Sequence, residues 1–149
     1  MISFYYYHKQ LGIGSPLSQM INMLDLVDFY KSSWRHCNMQ TQFLAGVFYH
    51  AQRSPLKLLN RFAPNFVYRK AVGNLEKYYD FVILQSRSSE GFKRFAHELG
   101  LQLKPTVCEE TVTRKRPSVL SLSDLDRASL AELSMYDSML YQRADELAP

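Results

Sequence analysis

A chain of 149 residues that is 46% hydrophobic and 21% charged has the composition of an ordinary folded domain, which excludes disorder as the default state. A net charge of +4 and a pI of 9.1 suit an anionic partner such as a nucleotide, a sulfated glycan or a nucleic acid, or else describe a mildly basic surface without a message. The cations Arg53, Lys57, Arg61, Arg69, Lys70 and Lys77 are scattered among apolar residues, which excludes a polybasic tail, and no stretch approaches the about 18 to 20 continuous apolar residues of a membrane span.

The chain opens on Ile2-Ser3-Phe4-Tyr5-Tyr6-Tyr7, an aromatic helix start in which Ser3 is either a cap or an anion contact. Leu11-Gly12-Ile13-Gly14 reads as a turn, because no strand precedes it and no Lys-Ser/Thr follows. Ser15-Pro16 then gives a cap and a first-turn Pro before the stripe Leu17, Met20, Ile21 and Leu24, so a helix begins there and extends, with or without a break, to about Ser32. Residues Asn38 to Ala45 form a further helical segment ended by Gly46, and Ser54 to Pro64 is a loop with one short helix at most.

From Asn65 to Tyr79 the positions Val67, Ala71, Leu75 and Tyr78 keep helical spacing. The run Phe81-Val82-Ile83-Leu84 lacks alternation, as a strand buried on both faces of a parallel sheet does, and predicts a strand over about 81–85. Ser88 or Ser89 caps the next helix, with Phe92, Phe95, Ala96 and Leu99 as its stripe and Gly100 as its end. Residues 101–120 are a polar loop. A capping box at Ser123 to Asp126 starts a last helix with Leu130, Leu133, Leu140, Tyr141, Ala144 and Leu147 on one face.

Helix, strand and helix in succession is the grammar of a helix-rich α/β fold, and with no linker or repeat the chain reads as a single domain over 1–149. Cys37 and Cys108 have no C-x-x-C partner motif, leaving a disulfide or two separate thiols open. His8, His36, His50 and His97 lack metal-ligand spacing, so no metal is expected. The densest basic cluster, Thr113, Arg114, Lys115 and Arg116, is either a loop that closes over a bisphosphate or a solvated one.

Several stretches occur in the order of a known pattern. Ser3-Phe4-Tyr5-Tyr6 matches the end of Arg-Asp-Pro-x-x-Arg-(apolar)-(apolar)-Ser-x-Tyr-Tyr; Asp28-Phe29 precedes Asn38-Met39-Gln40-Thr41-Gln42-Phe43-Leu44-Ala45-Gly46; and Ala71-Val72-Gly73-Asn74-Leu75 leads into the apolar run. Gly91-Phe92-Lys93-Arg94-Phe95, then Arg116-Pro117 with Asp137 and Leu140-Tyr141, complete the series. In this order the chain resembles carbohydrate sulfotransferases of the 2-O-sulfotransferase-like group, which use 3′-phosphoadenosine 5′-phosphosulfate (PAPS).

The resemblance implies the C-terminal portion of a P-loop-like sulfotransferase fold, with at least one buried parallel strand and helices around it. It implies PAPS as cofactor, a carbohydrate or glycan acceptor, no nucleic acid, and cofactor contacts from Ser3, Thr113, Arg114, Lys115 and Arg116. The pattern's first Arg would fall before Met1, and nothing in the chain resembles the 5′-phosphosulfate loop or supplies the family's catalytic base. The expectation is therefore a chain inactive or impaired by itself, or a degenerate relative that only binds an anionic glycan or a protein partner. One departure is internal: where the family continues with Gly-x-Thr/Ser-Glu, this chain has Leu84-Gln85-Ser86-Arg87, an inversion of charge.

Overall fold

The computed structural model describes residue 9 and residues 16–33, 36–47, 58–102 and 122–148. Two helices, α1 (Pro16–Met23) and α2 (Leu26–Ser32), take up the first predicted stripe. Asp25 separates them: its backbone is extended, and its carboxylate accepts the Asp28 amide at 2.8 Å, so it caps α2 and ends the continuity of α1. A short helix α3 (Met39–Leu44) follows and stops at Gly46, whose φ of 72° is left-handed, while the Val47 amide reaches back to the Gln42 carbonyl at 3.0 Å.

Next come α4 (Leu59–Phe62) and α5 (Pro64–Tyr78), the latter with Pro in its first turn, where the missing amide costs nothing. After α5 the chain runs through Phe81–Leu84 to a 3₁₀ turn (Gln85–Arg87) and α6 (Ser88–Glu98). Neither Ser88 nor Ser89 caps α6; Arg87 holds that position, without a side-chain bond. The expected last helix is two, α7 (Asp124–Leu133) and α8 (Met135–Leu147), and the capping box at the start of α7 is present, with Ser123 Oγ accepting the Asp126 amide at 3.1 Å.

The α/β expectation, with its buried parallel strand over about 81–85, is overturned, because the described residues are helical and contain no strand. A strand is defined by its ladder, and no described segment lies beside Phe81–Leu84 to bond it. The run is covered by helices instead. Phe81 meets Phe95 of α6 at a centroid distance of 5.1 Å, and Leu84 is buried in the core formed with α5 and α8. Ile83 comes so close to Gly91 that a Cβ there would sit 2.6 Å from its Cγ2, which explains a glycine within α6.

Two apolar cores result. The first gathers Ile21, Leu26, Val27, Phe29, Tyr30, Cys37 and Leu130, joining α1, α2 and α7, with the Phe29 and Tyr30 rings edge-to-face at 5.0 Å. The second gathers Ala45, Val47, Val67, Ala71, Leu75, Leu84, Leu140 and Ala144, joining α3, α5 and α8. Alanines at its centre let those three helices approach closely. Among the described residues, no helix is long and apolar enough to cross a membrane.

Candidate functional site

Where α3 begins, the two cores adjoin and a polar cluster links three helices. Asn38, at the N-terminus of α3, adopts a left-handed conformation (φ 52°, ψ 44°), one that Asn tolerates better than most residues. Its carboxamide nitrogen donates to the Leu133 carbonyl at the end of α7 (3.1 Å), and its oxygen accepts the Asp137 amide in the first turn of α8 (3.0 Å). One side chain thus satisfies a C-terminal acceptor and an N-terminal donor that the break between α7 and α8 leaves without intrahelical partners.

Asp137 returns the favour to α3. One carboxylate oxygen accepts both the Thr41 amide (2.8 Å) and the Thr41 hydroxyl (2.7 Å), and the other accepts the Gln40 amide (3.3 Å). This is an N-cap supplied from 96 residues away in the chain, with the negative charge at the positive end of α3. Thr41 and Gln42 are buried and bonded, the Gln42 side-chain carboxamide nitrogen donating to the Cys37 carbonyl at 2.6 Å.

Cys37 lies between the cluster and the first core, its thiol donating to the Tyr30 carbonyl at 3.4 Å. Burial, and after it the nearby Asp137 carboxylate, push the thiol up to about 11. It is therefore protonated at neutral pH and is no nucleophile. Asp137, its oxygens taken up by three donors, serves as a cap and not as a base. His36 rests on the Phe29 ring and bonds Ser33, while among the described residues no group of His, Cys, Asp or Glu could hold a metal.

The expected cofactor residues Ser3, Thr113, Arg114, Lys115 and Arg116 lie outside the described residues, as do Tyr5, Tyr6, Tyr7, Pro117 and Cys108. Of the matched stretches that are described, three interlock: those at Asn38–Gly46, Ala71–Leu75 and Asp137–Tyr141. Besides Asp137 with Asn38 and Thr41, the Asn74 side-chain nitrogen of α5 donates to the Leu44 carbonyl of α3 at 2.7 Å, and Leu140 packs with Ala71 and Leu75. The departure at Arg87 has a local explanation, since its guanidinium pairs with Asp145 of α8 while Ser86 bonds the Tyr141 hydroxyl.

The sequence marked Asp137 only through the pattern and gave no sign of its partners. A contact across 96 residues leaves no periodic trace, and only the Asn-x-x-Thr spacing on α3 could have hinted at a capped helix start. No family model, no curated protein and no solved structure matches this chain.

Proposed function

We propose that the chain is a member of the PAPS-dependent carbohydrate sulfotransferases of the 2-O-sulfotransferase-like group, which transfer a sulfuryl group from PAPS to a carbohydrate hydroxyl. One observation supports this reading above others: segments matched separately in sequence meet in space. Asn38 and Thr41 of the Asn-x-Gln-Thr stretch bond Asp137 of the closing pattern, and Asn74 of the Asn-Leu helix bonds Leu44 of the first stretch. Unrelated chance matches have no reason to coincide with the polar cross-links of a fold.

In this reading Ser3 offers a hydroxyl, and Arg114, Lys115 and Arg116 with Thr113 offer forked and point-charge donors, to the 3′-phosphate of the cofactor. The transfer itself needs a base and donors around the moving charge. Asp137 and Cys37 fill neither role, and nothing in the chain resembles the family's 5′-phosphosulfate loop or base, so in this reading the chain by itself is inactive or impaired and binds cofactor weakly. A second reading, a non-catalytic relative that binds an anionic glycan or a protein partner, is favoured by Arg87, which stands locked to Asp145 where the family has an acid.

Titration with the desulfated cofactor, followed by backbone amide NMR, separates these. Millimolar affinity with shifts confined to Ser3 and residues 113–116, abolished by Arg114→Ala with Arg116→Ala, is the expected outcome. Saturation without shifts at those residues would overturn the sulfotransferase reading, and micromolar or tighter binding would overturn the claim of impairment.

A further inference from the structure

Ser134 alone separates α7 from α8, and the hydrogen-bond ladder nearly runs through it. It closes on one side with the Ser134 amide on the Leu130 carbonyl and resumes on the other with the Ser138 amide on the Ser134 carbonyl, each at 3.0 Å and each four residues back. An uninterrupted helix would carry three further bonds between these two, the last from the Asp137 amide to the Leu133 carbonyl. Those two groups turn instead to one side chain. Asn38 donates to the Leu133 carbonyl at 3.1 Å and accepts the Asp137 amide at 3.0 Å, so its carboxamide stands in the place of a ladder bond, the kind of insertion that kinks a helix.

The sequence itself favours the uninterrupted form. Leu130, Leu133, Asp137, Leu140, Ala144 and Leu147 recur at intervals of 3, 4, 3, 4 and 3 residues, so a straight helix over 124–147 would carry them on one face. No Pro or Gly lies in that stretch to break it. The bend divides the face, sending Leu130 to the first core, with Leu133 against it, and Leu140 and Ala144 to the second.

We propose that residues 124–147 are one latent helix held bent by the Asn38 carboxamide, and that withdrawing this wedge closes the ladder and swings the first core, carried by α7, about the Asn38–Ser134 pivot. Asn38 directly follows Cys37 of the first core, so the wedge sits where the chain passes from one core to the other, and α2 packs on α7 and would travel with it. The bent state keeps two bonds to Asn38 and the Asp137 cap on α3, against three ladder bonds in the straight one. The left-handed backbone of Asn38 weighs further against the bend, which brings the two states within the range that one ligand or contact can shift. Other links do not oppose the swing: Arg127–Asp124 and Phe29–Tyr30 stay within the first half, and Arg87–Asp145, Arg143–Glu76, Tyr68–Tyr136 and Phe81–Phe95 within the second.

Hydrogen exchange and NMR of the full chain test this. In the native chain the Asp137 amide should be protected, while the Met135 and Tyr136 amides, which the bend leaves off the ladder, should exchange about tenfold faster or more. Couplings across hydrogen bonds should join the Asp137 amide nitrogen to the Asn38 side-chain carbonyl. In Asn38→Gly, where glycine accepts the left-handed backbone without strain, that coupling should pass to the Leu133 carbonyl. The Met135 and Tyr136 amides should then slow by about the same tenfold, and residual dipolar couplings should report α7 and α8 as collinear. The hydroxyls of Ser134 and Ser138 each donate to a carbonyl one turn back, at 2.7 and 3.1 Å, which is the rival source of a bend. Ser134→Ala with Ser138→Ala should therefore leave the break and the couplings unchanged. A break that persists in Asn38→Gly, a break that closes in the double serine variant, or native Met135 and Tyr136 amides as protected as that of Asp137 would each overturn the proposal. The native-chain exchange needs no variant, so it decides even where Asn38→Gly fails to fold.

Discussion

The two cores solve the same packing problem by different means. The first, among α1, α2 and α7, is filled by volume, with Phe29 and Tyr30 fully buried and the polar contacts around them local, Cys37 to the Tyr30 carbonyl and Ser33 to His36. The second, among α3, α5 and α8, is built from Ala, Val and Leu and is tied by bonds between distant segments: Asp137 to Thr41, Asn74 to Leu44, Arg143 to Glu76 and Tyr136 to Asn65. Large rings fill space without fixing register, whereas small side chains allow close approach and leave register to directional bonds. Of the stretches matched in sequence, Ala45, Ala71, Leu75 and Leu140 lie in the second core and Phe29 in the first.

The sharpest way to break the contrast is to remove volume from the first core. Phe29→Ala deletes a ring that is wholly inaccessible and is expected to cost about 3 to 5 kcal/mol, read from urea or guanidinium unfolding. A cost below about 1 kcal/mol would mean that the ring is not packed and that the first core is held by something other than volume.

A medium effect lies at the seam between the cores. Cys37 is held at about 11 against an ordinary 9.0, so the folded state favours the neutral thiol. That stabilisation is fully present below about pH 9 and is lost as pH rises through 11, on the order of 2 to 3 kcal/mol in all. Unfolding measured across that window should show the alkaline decline in the native chain and a smaller one in Cys37→Ala, the difference isolating the thiol from the tyrosines. Equal declines would show that the thiol is not held neutral by the fold.

The same contrast explains what was legible beforehand. The helix at Pro64–Tyr78 could be read because Val67, Ala71 and Leu75 mark one side of it, and α2 could be read for the same reason. The run Phe81–Leu84 could not, since an apolar stretch without alternation looks the same whether sheet neighbours or helices cover it. Local stripes report only that a face is buried. The break between α7 and α8 was also hidden, because Asn38, far away in sequence, takes up the Leu133 carbonyl and the Asp137 amide that the break exposes. Of the candidate site, the motif residues of the scaffold were visible as a pattern, while their mutual bonds follow from tertiary structure alone.

The smallest effect, and the most specific to the second core, concerns Asp137. As an N-cap delivered from another helix it should contribute about 1 to 2 kcal/mol, so Asp137→Ala should cost that much, and Asn38→Ala, which removes the reciprocal bonds, about 1 kcal/mol. If the two side chains act as one unit, the double variant will cost less than the sum of the singles, because each removal already releases part of the other's geometry. Simple additivity would mean two independent caps and a second core held by its alanines and leucines after all. Asp137→Asn adds an internal check, since it keeps the shape and removes the charge: the alkaline decline begins near 9.0 in either case, keeps its full size if the substitution leaves the Cys37 thiol where it is, and shrinks if the carboxylate helps to hold it up. The charge at Asp137 is the second cause of the raised thiol after burial, so the expected direction is a thiol closer to 9.0 and a smaller alkaline loss than in the native chain.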